Sequence, residues 1–289
     1  MDILKTDSKI PTKKWLPEVA VLNKTSDVTN KEIQSVTTAL KVQVLRDFAP
    51  IWGISADIKF YSDESKVPFD AWKFIFLDTS DQAGALGYHE LTPEGYPQGL
   101  VFVKESAKAG VAWSTTASHE MLEILLDPYT DLLVMEQKQG QSPKLYAYEV
   151  CDPVENDWYI IGGVKVSNFV YPEWFENDAK NPSGKWDFLG NLKAPFTLSK
   201  GGYVSYMTIS SAGWQQIMAK KSDAFLVCRQ NREFPALVGA KLRMPFFSGL
   251  WVKIKSIFTG WEEAFSKKRA ANLIKADEAV KNAVNTAKK

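Results

Sequence analysis

The chain has 289 residues and a formal net charge of +1 at pH 7, with 45% apolar and 24% charged residues. This composition is typical of a globular protein with a full core, and it excludes wholesale disorder and a charge field suited to nucleic acid. No run of about 18 apolar residues occurs, so no transmembrane segment is predicted. The chain has only two histidines, His89 and His119, so any metal site must depend on carboxylates.

The first half of the chain alternates predicted strands with one long helix. Residues 15–22 predict a short strand. Thr29-Asn-Lys-Glu32 has the form of a capping box and opens an amphipathic helix that runs to Phe48 and is expected to end at Pro50. Residues 56–61, 72–78 and 99–103 are rich in β-branched and aromatic side chains, and each predicts a strand.

The second half begins with a helix predicted at residues 114–126, which Pro128 terminates. Short strands are expected at 145–151, 158–161 and 164–169, with Gly162-Gly163 as a hairpin turn. Another β-segment starts at Gly201-Gly202, and residues 212–220 predict a short helix. The sequence therefore predicts an α+β protein: a mixed sheet with a motif-bearing helix, a β-rich second half and a C-terminal helical extension.

Three parts of the chain differ in composition. Residues 1–14 predict a flexible arm without the apolar segment of a Sec signal peptide, so a cytoplasmic protein or one packaged into a particle is expected. Residues 15–235 predict the α+β domain, and residues 236–289 an amphipathic and basic helical tail. Large apolar side chains recur at helical spacing between 250 and 265 and are costly to expose. Residues 250–289 are therefore expected to contact a protein assembly partner, with the protein's own domain or a lipid surface as alternatives.

The motif that carries chemistry is Ser118-His119-Glu120-Met121-Leu122-Glu123, an HExxE sequence on the helix predicted at 114–126. Residues four apart lie about 40° apart around a helix and one turn along it, so His119 and Glu123 can bind one cation from the same face. Glu120 lies beside that pair, where it could act as general base on a metal-bound water. The alternative is a solvated helix face.

The segments before the motif resemble those of a known enzyme class. Gly84-Ala-Leu-Gly-Tyr-His89, a Gly/Pro loop at 92–97 and a strand precede the helix, an order similar to that of zincin metallopeptidases, the metzincin-like branch in particular. Those proteins have a Leu-Gly segment, a turn, an edge strand that pairs with substrate, and then the motif helix. The chain also resembles a bacterial and phage-associated HExxE family marked by a later Glu-Val-Cys-Asp-Pro, here 149–153. The resemblance implies a zincin-like sheet and a zinc metallopeptidase.

The third metal ligand must come from outside the helix. Glu123 replaces the second His of HExxH, and Leu126 and Tyr129 occupy the positions of the Gly and third His of the extended metzincin signature. Glu149 and Asp152 are the candidates, since a strand returning beside the helix could present either one. The alternatives are a strand-edge Glu and a turn Asp before Pro153.

Two further residues have open roles. Asp127 lies eight residues past His119, about 12 Å along a helix, too far to share a tetrahedral ion. It is expected to cap the helix or to hydrogen-bond a ligand. His89 is a candidate third ligand, a substrate-facing donor or an ordinary loop residue.

One His with two carboxylates forms a harder and more anionic site than three His. We expect a divalent metal there, zinc first, with calcium or manganese competitive. Two functions follow. The first is a metal-dependent hydrolase, most simply a zinc peptidase, with a peptide or protein substrate and Glu120 as base. The second is a non-catalytic structural or cargo component of a virion or contractile particle that retains a zincin scaffold.

Overall fold

The computed structural model describes residues 16–176, 181, 183–208 and 213–219, together with the backbone of Leu242–Arg243. The predicted arm lies outside the described residues, as does the tail apart from that two-residue backbone. The described part of the chain contains four α-helices: α1 (Asn30–Val42), α2 (Ala49–Trp52), α3 (Val103–Lys108) and α4 (Trp113–Leu126). Its strands are β1 (Glu18–Asn23), β2 (Asp57–Tyr61), β3 (Trp72–Leu77), β4 (Gly87–Leu91), β5 (Pro97–Phe102), β6 (Leu133–Glu136), β7 (Lys144–Ala147), β8 (Trp158–Ile161), β9 (Val164–Ser167), β10 (Tyr203–Thr208), β11 (Gln215–Met218) and β12 (Leu242–Arg243). The protein is α+β, as the sequence predicts.

The first half of the chain forms a sheet with strand order β2-β1-β3-β5-β4. The strands β1, β2, β3 and β5 are parallel, and β4 pairs antiparallel with β5 at the edge. The sequence predicts all of these strands except β4. The edge strand next to the motif helix is therefore β4, which carries His89, and not the 99–103 strand that the resemblance indicates. The reason is that β4 and β5 form an antiparallel hairpin in which β5 lies between β3 and β4, so that β4 is the outer strand.

Helix α1 starts with the predicted capping box: Thr29 N donates to Glu32 Oε2 (2.7 Å) and Glu32 N donates to Thr29 Oγ1 (3.3 Å). The prediction that Pro50 ends the helical run is wrong. A π-helical segment, Gln43–Phe48, follows α1, and Pro50 then lies in the first turn of α2. Proline fits there because the first turn of a helix needs no backbone N–H. Gly53, at φ 69°, ends the run.

The second sheet has strand order β11-β10-β7-β6-β12. The prediction of a helix at 212–220 is wrong, because β11 pairs antiparallel with β10 there and long-range pairing outweighs local helix propensity. The hairpin β8–β9 has Gly162 and Gly163 at its turn, both at positive φ, as predicted. Among the described residues, no helix is long and apolar enough to span a membrane.

One continuous core joins the two halves. It includes Val21 of β1, Phe74 of β3, Leu40 of α1 and Met121 of α4, all fully buried. Helix α4 packs against β4 and β5 on one side and against β9 on another. The HExxE motif therefore lies in the core of the described part of the chain.

Candidate metal centre

The motif helix α4 is buried along almost its whole length. Every residue from Ser114 to Leu126 is buried, including all three charged residues of the motif. The alternative of a solvated helix face is therefore wrong. A helix that is buried all round must satisfy its polar side chains within the protein.

Ser118 fixes the helix to its neighbours through neutral hydrogen bonds. Its Oγ donates to Gln43 Oε1 (2.7 Å) and accepts from Ser167 N (2.8 Å), and Gln43 Nε2 donates to Ser167 O (2.9 Å). Gln43 begins the π-helical segment, and Ser167 ends β9. This three-residue network holds α4 in register with the hairpin behind it.

His119 and Glu123 lie on one face of α4, as the i, i+4 spacing predicts. His119 Nε2 lies 3.0 Å from Glu123 Oε2 and 3.2 Å from Asp152 Oδ1. Both oxygens are buried, and within the described part of the chain neither has a hydrogen-bond partner at an acceptable angle. In a tetrahedral zinc site with bonds of about 2.0–2.1 Å, ligand atoms lie about 3.3 Å apart. Each of the two oxygens therefore lies at a distance from Nε2 close to that between neighbouring ligands of one cation.

Asp152 is placed by a 3₁₀ turn, Asp152–Val154, that follows β7. Residues three apart eclipse in a 3₁₀ turn, so Glu155 lies beside Asp152. Glu155 Oε2 is 3.0 Å from His119 Nδ1, the ring nitrogen that a carboxylate commonly orients when the other binds a metal. The turn packs tightly on Gly202, where an added Cβ would lie 2.1 Å from the Pro153 carbonyl oxygen.

His89 and Glu120 meet beside this group. His89 lies on β4, with Nδ1 3.4 Å from Glu120 Oε2 and Nε2 4.0 Å from Glu149 Oε2. Gly87 allows β4 to approach α4, because an added Cβ there would lie 2.9 Å from Glu120 Cγ. His89 is therefore not an ordinary loop residue, and Glu120 is held next to the candidate ligands.

Together these side chains form what we call the buried cluster. None of its members is more than 4% exposed: His89, His119, Glu120, Glu123, Glu149, Cys151, Asp152 and Glu155. Three overlapping groups within it have ligand atoms that all lie within 4.8 Å of one another: His119–Glu123–Cys151, His119–Asp152–Glu155 and His89–Glu123–Glu149. Both candidate third ligands from the sequence, Glu149 and Asp152, thus reach the cluster, but beside different histidines.

Burial and mutual repulsion alter the pKa values of these acids. Burial raises the pKa of Asp152 to about 7 and that of Glu123 well above its usual value, although His119 opposes the shift. For His89, burial alone lowers the pKa, but the carboxylates of Glu149 and Glu120 outweigh it and raise the pKa to about 9. A raised pKa means that each of these three groups binds a proton more readily, so the buried cluster favours added positive charge. A divalent cation can supply that charge in place of protons.

Asp127 does not belong to the buried cluster. It is the C-terminal cap of α4, and its carboxylate accepts hydrogen bonds from Asp131 N and Leu132 N, each at 3.1 Å. Of the two roles that the sequence leaves open, capping is the one seen in these contacts.

Sequence reasoning missed Glu155 and Cys151. Glu155 follows Asp152 by three residues after an Asp-Pro pair, a spacing that would indicate a 3₁₀ turn. Cys151 N donates to Glu123 Oε1 (3.1 Å), and burial raises the pKa of its thiol. A single cysteine carries no comparable signal in sequence.

No family model, no curated protein and no solved structure matches the chain. Function is therefore inferred from the geometry of the buried cluster.

Proposed function

We propose that the protein is a metal-dependent hydrolase of the zincin type, acting on a peptide or protein. His119, Glu123 and Asp152 would hold one divalent cation, with zinc as the first choice. The observation that carries the proposal is the approach of two buried carboxylate oxygens, of Glu123 and Asp152, to His119 Nε2 at 3.0 and 3.2 Å. Two buried carboxylates beside one imidazole nitrogen form a ligand set whose negative charge a divalent cation would neutralise.

The reaction chemistry assigns roles to neighbouring side chains. A bound cation would supply Lewis acidity and a more acidic water. Glu120 would accept a proton on Oε2, and His89 Nδ1, 3.4 Å away, would orient that carboxylate. Glu155 would hold the His119 ring from its Nδ1 side.

The edge strand supports a peptide substrate. Strand β4 ends the first sheet and lies against α4. The outer backbone groups of an edge strand can pair with an extended peptide, and pairing there would bring the peptide alongside the motif helix.

A second candidate function is a non-catalytic component of a larger assembly that keeps the metal as a structural element. The observation that favours it is the burial of all members of the cluster. Structural metal sites are closed, whereas catalytic sites keep a position open to water.

Metal content tests the shared part of both proposals. Elemental analysis of purified, undialysed protein is expected to show near-stoichiometric metal, and His119→Ala should abolish it because Nε2 is common to both short contacts. Glu94→Gln, on an exposed loop, is the control and should leave metal content unchanged. Wild-type protein without metal that also fails to bind added zinc, manganese or calcium would refute both functions.

Turnover then separates the two functions. Glu120→Gln should retain the metal and lose activity against a peptide library by about 10²–10⁴-fold, because an amide cannot accept the proton. Equal turnover by wild type and variant would exclude Glu120 as the base. Metal bound without turnover in either protein would support the structural function.

A further inference from the structure

His89 offers a ring nitrogen that the site described above does not use. Its Nδ1 faces Glu120, whereas Nε2 is directed at Glu149 Oε2, 4.0 Å away. The side chain is 2% exposed, and among the described residues Nε2 has no hydrogen-bond partner. A buried imidazole nitrogen without a partner is costly, and it is a good metal ligand.

Glu123 connects this nitrogen to the first ion position. Ligand atoms of His89, Glu123 and Glu149 all lie within 4.8 Å of one another. Glu123 is also part of the His119 group, with Oε2 3.0 Å from His119 Nε2. In each of the three groups whose ligand atoms lie within 4.8 Å of one another there is one histidine. His89 and His119 would therefore bind ions at different positions.

We propose that the buried cluster binds two divalent cations, the second held by His89, Glu149 and Glu123, with the Glu123 carboxylate bridging the pair. This proposal rests on the first site proposed above. Carboxylate-bridged ions in two-metal enzymes lie about 3.5–4 Å apart, a separation that one carboxylate can span.

The two positions differ in size. The His119 contacts of 3.0 and 3.2 Å match the ligand spacing of tetrahedral zinc, whereas the His89–Glu149 distance of 4.0 Å exceeds it. The second position is therefore the wider of the two.

Cadmium NMR on the full, unmodified chain tests this directly. The chain contains only two histidines, so ¹⁵N-histidine labelling reports on His89 and His119 alone. With ¹¹³Cd²⁺ as the probe, we expect two cadmium resonances, each coupled to the Nε2 of a different histidine. One resonance coupled to His119 alone would overturn the second ion and leave the first site intact. One resonance coupled to both histidines would replace the pair by a single ion, and no bound cadmium would overturn both sites.

The number of cadmium ions that a His89 variant binds tests the same proposal. His89→Gln should lower bound Cd²⁺ from two ions to one and retain the resonance coupled to His119, with an unchanged circular dichroism spectrum as evidence of folding. Two ions in the variant, or one ion in wild type and variant alike, would overturn the assignment of His89 as a ligand.

Discussion

Two neighbouring sides of helix α4 both carry buried polar side chains, but the partners of those side chains differ between the two sides. On the Ser118 side, Ser118, Gln43 and Ser167 form short hydrogen bonds between neutral groups. On the His119 side, oxygens of Glu123, Asp152 and Glu155 surround one imidazole at 3.0–3.2 Å. On the Ser118 side these hydrogen bonds pair the buried polar groups with one another.

The difference separates buried polar groups that are hydrogen-bonded to one another from buried acids whose charge the proposed cation would balance. Paired neutral groups cost little to bury, whereas an excess of carboxylates over positive charge is expensive in a low-dielectric interior. The Ser118 side should therefore contribute to stability under all conditions. The His119 side should stabilise the protein only with a cation or with protons bound.

The largest effect is expected from disturbing the turn that carries the acids. In Gly202→Ala the new Cβ would lie 2.1 Å from the Pro153 carbonyl oxygen, which is backbone and cannot swing aside. We expect a loss of about 3 kcal/mol in unfolding free energy, together with loss of bound metal. Denaturant unfolding and elemental analysis measure both. Gly213→Ala, where an added Cβ has nothing within 4 Å, is the matched control. Retained metal would show that the turn can shift without disturbing Asp152.

The pH dependence of the chelator-treated protein should be the next largest effect. Folding raises the pKa of Asp152 from 3.8 to about 7 and that of His89 from 6.5 to about 9. The folded state therefore holds protons that the unfolded chain has released, so the unfolding free energy falls as pH rises from about 4 to about 9. Saturating metal should remove most of this slope near neutral pH. Thermal unfolding across this range tests it, and metal-free stability that rises with pH would contradict the charge excess.

A smaller effect is expected on the neutral side of α4. Ser118→Ala leaves Ser167 N and Gln43 Oε1 without their partner, at a cost of about 1–3 kcal/mol. Metal stoichiometry should not change. Ser35→Ala, on the exposed face of α1, is the control and should be nearly neutral. Loss of metal in Ser118→Ala, with folding intact, would mean that the two sides of the helix are not independent.

The smallest effect is expected at the end of the helix. Asp127→Asn keeps an acceptor for only one of Asp131 N and Leu132 N, and the loss of the other bond should cost about 1 kcal/mol. Because Asp127 caps α4, metal affinity should change less than tenfold. A larger fall in affinity, measured by competition with a chelator, would assign Asp127 to the metal centre.

The helical half of the site could be predicted, because helix periodicity alone brings His119 and Glu123 onto one face. The four parallel strands of the first sheet, but not β4, follow from local composition in the same way. The positions of His89 and Glu155 depend instead on tertiary contacts: β4 must fold over β5, and the 3₁₀ turn must reach α4. The errors at Pro50 and at 212–220 have the same origin, since a π-helical segment and a strand partner overrode the local signals.

The close packing of Gly202 on the Asp152–Val154 turn has a consequence for the order of events during folding. The acid that completes the first ion position lies 33 residues after His119, and the glycine that secures it lies 50 residues further along. A chain still emerging from the ribosome cannot assemble the ligands until the second sheet begins to form. If the buried cluster binds a cation as proposed, its uptake would be a late step, and its release would require a local opening of this segment. Exchange of bound metal should accordingly be slow, at a rate set by the protein's own fluctuations and independent of the chelator concentration.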